Sequence, residues 1–412
     1  MTIAETSTED RSSRRNTRVL VAFTAVTNIA DGVLKVALPL LATRLTDSPG
    51  LIAAVAMTLS LPWLLTALHV GVLVDRFDRR RLLWIADLTR VAVMGALAAA
   101  LAAGQLSLPV IYAGGALMGL AEVVAMTSVA AIVPSAVAPR LRERANAWVA
   151  GAETACGEFA GPFVGGLLVT LGATFALGAT AAAYAVGVLL LLLLVGHFAP
   201  SAQPPTTTVH HRLVEGLRFL WRNRLLRGMA AMISVLAACW GAWTALMPLV
   251  ATSLLGLDEH EYGLLLSCLG AGGIVGAFSV SWVNRLLGQR WSMFADLLGT
   301  AAMVAAPALT DDLAVIGAAA FLGGMGGTLW TVNARTIAQR LVPPQMLGRY
   351  SAAARLFTWG AVPLGAGLAG VVAEFAGARG TFGLFAVAAL AMAVPFLRVL
   401  TPSALAEARA AR

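Results

Sequence analysis

The chain has 412 residues, of which 59% are apolar and 12% charged, with a formal net charge of +8. A water-soluble domain of this size carries about 25% charged residues, so the soluble enzyme classes are excluded, and 41 glycines without a repeating or polar tract exclude collagen-like and disordered chains. The mean hydropathy of +0.81 makes lipid the expected solvent.

Residues 1–18 are polar and carry Arg11, Arg14, Arg15 and Arg18. They are expected to be a retained tail, because the apolar stretch behind them is broken by Asp31 and Lys35 and lacks the short core and small-residue cleavage site of a signal peptide. A spanning helix needs about 20 apolar residues. Twelve such stretches follow, at 19–42, 51–74, 82–103, 108–133, 145–170, 174–196, 228–252, 261–283, 291–309, 313–337, 350–375 and 381–400. An all-α membrane protein is predicted.

Arginine sits on alternate loops. Arg76, Arg79, Arg80 and Arg81 follow the second span, Arg140, Arg142 and Arg144 the fourth, Arg212 to Arg227 the sixth, and Arg285, Arg290, Arg340 and Arg349 later even-numbered spans. The opposite loops offer Arg44 and Arg379 beside Asp258, Glu259, Glu261, Asp311 and Asp312. Cytoplasmic loops retain Lys and Arg, so both termini are expected in the cytoplasm of a multi-pass protein of the cell membrane. Charge in clusters between apolar runs, rather than along one basic face, argues against a nucleic-acid partner. Cys156, Cys239 and Cys268 lie inside apolar runs without metal-ligand spacing, so neither a disulfide framework nor a metal site is expected.

The predicted organisation is a tail over 1–18, a six-helix bundle over 19–196, a linker over 197–227, a second bundle over 228–400 and a tail over 401–412. Leu213, Leu217, Leu220 and Trp221 recur among arginines in the linker, the pattern of an amphipathic helix lying on the inner membrane surface. The halves repeat at an offset of 209: Leu-Pro-Leu at 38–40 matches Met-Pro-Leu at 247–249, Ala86-Asp87-Leu88 matches Ala295-Asp296-Leu297, and Val133-Pro134 matches Val342-Pro343. Two related bundles that rock about a central cavity provide alternating access.

Two motifs carry the most information. The second loop reads Gly71-Val-Leu73-Val-Asp75-Arg76-Phe-Asp78-Arg79-Arg80-Arg81. In the fifth span, Gly157, Gly161 and Gly165 recur every fourth residue beside Pro162 and Gly166, forming a flat stripe on which a partner helix packs closely. The first run resembles the loop signature of the major facilitator superfamily, with Asp78 where a second glycine is usual; the second resembles the antiporter motif of its exporters. Asp31-Gly32, Lys35, Ala37-Leu38-Pro39-Leu40 and Gly216-Leu217-Arg218-Phe219-Leu220 are similar to the branch of macrolide-efflux proteins and the enterobactin exporter. The resemblance implies twelve helices in two pseudo-symmetric six-helix bundles and a proton-driven exporter of amphipathic molecules. It also implies a conformational latch formed by Gly71, Asp75, Arg76, Arg79 and Arg80.

The intramembrane acids point the same way. Asp31, Glu122, Glu153 and Glu158 lie about 8–14 residues into their spans. Each opposes insertion by about 2.5–3.5 kcal/mol if it faces lipid, so each must pair, face a cavity or bind a proton. Asp31 and Glu122 are the leading proton-carrier candidates; Glu153 and Glu158 are read either as further proton-coupling groups or as packing hydrogen bonds. Lys35, the only lysine, lies one turn past Asp31, within ion-pair reach or facing substrate. Trp240 and Trp243 are candidate cavity walls for an apolar molecule. Asp87 with Arg90 is read as a pair near the inner surface. Without a phosphate-binding Gly-rich loop or a catalytic cluster, neither ATP hydrolysis nor enzymatic chemistry is expected, and no cofactor. The partners expected are a small-molecule substrate, protons and membrane lipid, with the chain acting as a monomer. Rival readings are an uptake symporter or lipid translocator on the same fold, and a transport-silent membrane sensor.

Overall fold

The computed structural model describes residues 3–196, 198, 209–343 and 346–410, and among these all regular structure is helical. The elements are α1 (Ile3–Thr43), α2 (Pro49–Arg76), α3 (Arg79–Ala102), α4 (Leu108–Ala136), α5 (Arg142–Ala152), α6 (Gly161–Thr170), α7 (Ala173–Leu191), α8 (Val209–Arg222), α9 (Arg224–Leu249), α10 (Glu259–Leu309), α11 (Leu313–Leu341), α12 (Leu347–Thr358), α13 (Ala361–Ala391), α14 (Ala393–Val399) and α15 (Pro402–Ala410). Nine continuous helical stretches among the described residues are long and apolar enough to cross a membrane. Two of these are pairs of spans joined at left-handed glycines, Gly288 (φ 75°) and Gly377 (φ 69°). The fifth span is α5 and α6, with a wider π turn over Glu153–Ala160 between them. Resolved in this way, the helices supply the twelve spans of the sequence.

The chain forms two compact units. One comprises residues 1–41, 61–204 and 259–264; the other comprises 42–60, 205–258 and 265–412. The division therefore departs from the sequence halves at the first part of α2 and the first turn of α10.

In the first unit, Leu20, Phe23, Leu83, Ile132, Leu191 and Phe198 build a core where α1, α3, α4 and α7 meet. The segment expected to be a tail is instead the start of α1, and its polar side chains work as fasteners. Asn16 Nδ2 donates to the carbonyls of Ala136 (3.0 Å) and Val195 (2.8 Å), and its Oδ1 accepts from Val195 N at 3.0 Å. Ser13 Oγ accepts from Ala138 N at 3.0 Å. Arg142 reaches back to the last carbonyls of α4, donating to Pro134 O (2.6 Å) and Val137 O (3.1 Å), the favourable place for a cation on a helix.

In the second unit, α9 lies along α13, and Met293, Leu297, Trp330, Phe396 and Leu400 form a core. The linker helix α8 forms as its pattern predicts, and protein covers part of its apolar face: Leu220 is buried with Leu226, Ala338 and Tyr350, while Trp221 is exposed. Gly216 allows this docking, because a Cβ there would fall on the Arg349 carbonyl, and Glu215 receives Arg349 Nη1 at 2.6 Å. The expected surface helix is thus packed against α12. At the other end of this unit Glu374 of α13 caps α2, accepting from Gly50 N at 2.9 Å and from the Ser48 hydroxyl. A carboxylate at a helix N-terminus is stabilising.

Asn16→Ala leaves two carbonyls and one amide without their partner. The expected cost is about 2–4 kcal/mol, seen as a lower unfolding temperature of the purified chain in detergent by tryptophan fluorescence.

Candidate functional site

The α3 helix positions the polar centre of the first unit. It begins with an N-cap at Asp78, whose side chain accepts from Arg81 N at 3.0 Å. From that start Asp87 and Arg90 fall on one face, three residues apart, about 14–18 Å along the helix. Both are buried, at 0% and 2% exposure. They are core residues of the first unit.

Arg90 gathers its neighbours. Its Nη1 lies 3.3 Å from Asp87 Oδ1 and its Nη2 lies 3.6 Å from Asp31 Oδ1 on α1. Tyr184 of α7 donates its hydroxyl to the same Asp31 oxygen at 2.6 Å, and its ring lies 5.1 Å below the guanidinium carbon. Glu122 of α4, half-buried, is near enough for its charge to act on Arg90. Asp87 Oδ2 has no hydrogen-bond partner. Gly187 leaves room beside it, since a Cβ there would stand 3.2 Å from that oxygen. Asp31 and Asp87 therefore share one guanidinium, on which the charge of Glu122 also acts. Lys35 is exposed one turn beyond Asp31.

The fifth span holds α1, and with it Asp31, in place. A Cβ on Gly161 would stand 2.8 Å from Gly32 Cα; on Gly165, 2.9 Å from Val33 Cα; on Gly157, 3.0 Å from Asn28 Oδ1. On its other edge Gly166 meets Gly263 of α10, where a Cβ would stand 3.0 Å from Gly263 Cα. Pro162 supplies no N–H to the preceding turn, and the π segment ends just before it. Glu153 opens that segment, half-buried and away from the groups around Arg90; the Glu158 side chain lies outside the described residues.

In the last turns of α2, Gly71 is half-buried with open space around it, and Asp75 and Arg76 are exposed. In the first turn of α3, Arg79 donates to Ser135 Oγ at 3.2 Å and Arg80 to the Leu192 carbonyl at 3.2 Å, tying this end of α3 to α4 and to the end of α7. In the second unit Trp243 is wholly buried and so lines no open surface, whereas Trp240 is half-buried and donates Nε1 to Thr300 Oγ1 at 3.3 Å.

A family described as transmembrane secretion effector, within the major facilitator superfamily, matches residues 13–412. The chain belongs to that family. The multidrug efflux pump Tap of Mycolicibacterium fortuitum is 30% identical over 400 residues, covering 94% of each chain. The enterobactin exporter EntS of Shigella boydii serotype 4 is 30% identical over 258 residues, covering 60% of this chain and 59% of that one. Among solved structures the nucleoside transporter NupG superposes with a TM-score of 0.72 at 12% identity, over 93% of this chain and 99% of that one. A bacterial homologue of the iron transporter ferroportin gives 0.71 at 16% identity, over 94% and 98%. These likenesses place the secretion effector among multi-pass membrane transporters of the major facilitator fold, in the efflux branch.

Sequence reasoning on this secretion effector missed Arg90 and Tyr184 as neighbours of Asp31. The signal for Arg90 was present: an acid and a base three residues apart inside an apolar span. Gly161→Leu is expected to disrupt the first unit by several kcal/mol through overpacking against Gly32, whereas Gly178→Leu, with open space around it, is expected to be tolerated. Yield and thermal stability of the two purified variants provide the check.

Proposed function

We propose that the chain is a proton-driven antiporter of the cell membrane, exporting a hydrophobic or amphipathic small molecule by alternating access, with both termini in the cytoplasm. What carries the reading is that two carboxyls, Asp31 and Asp87, share the single guanidinium of Arg90, with Asp87 and Arg90 buried. If both were ionised, one negative charge would lack a cation, and an uncompensated buried charge costs several kcal/mol. Binding a proton removes that cost. Asp31 and Glu122, with Asp87 beside Arg90, exchange the proton when the unit opens to water on one side.

The same balance supplies coupling. A cationic or polarised substrate that nears Asp31 or Glu122 competes with the proton for negative charge, so loading one favours release of the other. The latch residues Gly71, Asp75, Arg76, Arg79 and Arg80 would hold one conformation at the arginine-bearing end, and the Gly157, Gly161 and Gly165 stripe would keep α1 and the fifth span moving together. The efflux pumps among the relatives support the outward direction.

Purified chain in proteoliposomes, with a pH dye inside and ethidium as the probe, tests this. Ethidium movement is expected to drive an opposing proton flux in the wild type, and Asp31→Asn and Glu122→Gln each to reduce it at least about tenfold, or about 1.4 kcal/mol in coupling, while inserting normally. Uphill ethidium transport that persists after the pH gradient is collapsed, with no other ion gradient present, overturns the proposal.

A further inference from the structure

The repeat at offset 209 places a second acid where the first unit has Asp87: Asp296, on α10. Its surroundings are different. The position matching Arg90 is Gly299, the position matching Asp31 is Trp240, and the position matching Glu122 is Thr331. The second unit has kept the acid and lost every ionisable neighbour that accompanies it in the first.

Asp296 is nonetheless as deeply buried, at 1% exposure. Its Oδ1 accepts from the Thr300 hydroxyl at 3.2 Å; its Oδ2 has no hydrogen-bond partner. From α11 the groups against it are Gly326, where a Cβ would stand 2.6 Å from Asp296 Cα, and Gly327. From α9 the ionisable group that faces it is the thiol of Cys239. Of the arginines on its own and adjoining helices, Arg290 lies over the Trp291 ring at 5.0 Å, Arg224, Arg227, Arg285, Arg335 and Arg398 are exposed, and Arg340 sits in the last turn of α11. A carboxylate with one hydroxyl donor and no cation is untenable in such a place. The neutral acid is the stable form here, and it becomes a carboxylate only when water or a cation reaches it.

Thr300 connects the acid to a surface. Trp240 Nε1 donates to Thr300 Oγ1 at 3.3 Å, and Thr300 passes its own hydroxyl hydrogen to Asp296, so the chain of donors runs from a half-buried indole to the buried carboxyl. Bonds in such a chain strengthen one another. A molecule that displaces the indole weakens the Thr300 bond and so alters the hold of Asp296 on its proton; by linkage, the proton alters the binding of that molecule.

We propose that Asp296 is a second proton-binding group, loaded separately from the Asp31–Arg90 cluster, and that Thr300 reports contact at Trp240 to it. This rests on the proton-driven reading above. The step moves one proton and no electrons: binding at Oδ2 turns the carboxylate into a neutral carboxyl, and release to water restores it.

Infrared difference titration of the carboxyl C=O stretch, on the full-length chain purified in detergent, separates the possibilities. The wild type is expected to show a titrating component that survives Asp31→Asn and is lost in Asp296→Asn. Addition of ethidium is expected to change that component in the wild type; in Thr300→Val the component remains but no longer responds. An Asp296→Asn spectrum that retains every titrating component overturns the proposal, and Thr300→Val covers the case in which Asp296→Asn fails to fold, because a component still responsive to ethidium there overturns the link. If the Asp296 component is present but wild-type proteoliposomes show no ethidium-driven proton flux, the antiport reading fails and the proton site stands.

Discussion

A carboxyl group inside hydrocarbon persists in one of three ways: beside a cation, under a set of hydrogen-bond donors, or with a proton of its own. That constraint organises the polar chemistry of this chain. Asp31 has a cation and a phenol, Asp87 has half of a cation, and Asp296 has a single hydroxyl. The series runs from well-compensated to almost uncompensated.

Such a series depends on helices held in fixed register. Asp31 occupies its place because glycines of the fifth span let that span approach α1 at backbone distance, and because Asn16 pins the other end of α1 to α4 and α7. The glycines contribute no polar group, yet any larger residue at Gly161 would shift the acid relative to Arg90. Close packing and proton chemistry are therefore the same requirement, met on two faces of one helix.

Much of this was legible in the residues themselves. The twelve apolar stretches, the arginine-bearing loops and the glycine stripe follow from composition and spacing, and Asp31 and Glu122 stand out by depth alone. The partners of Asp31 were not legible, because Tyr184 lies 153 residues away in sequence and only folding joins them. Asp87 and Arg90 were visible as an acid and a base three residues apart, but not as the neighbours of Asp31. Amphipathic spacing showed that α8 would be a helix but not that Gly216 would bring it against the Arg349 carbonyl of α12. Trp240 and Trp243 are three residues apart on one helix and looked equivalent, and their difference in burial reflects neighbours that no local pattern encodes.

Gly288 and Gly377 have a mechanical meaning. Each joins two spans through a single left-handed residue, one at the arginine-bearing end of its helix pair and the other beside Glu374 and Arg379. A junction of one residue has two soft torsions and no spare chain, so the spans it connects are free to pivot and barred from sliding. Any travel in this part of the molecule has to be angular, as in a folding rule whose rivets sit at alternate ends.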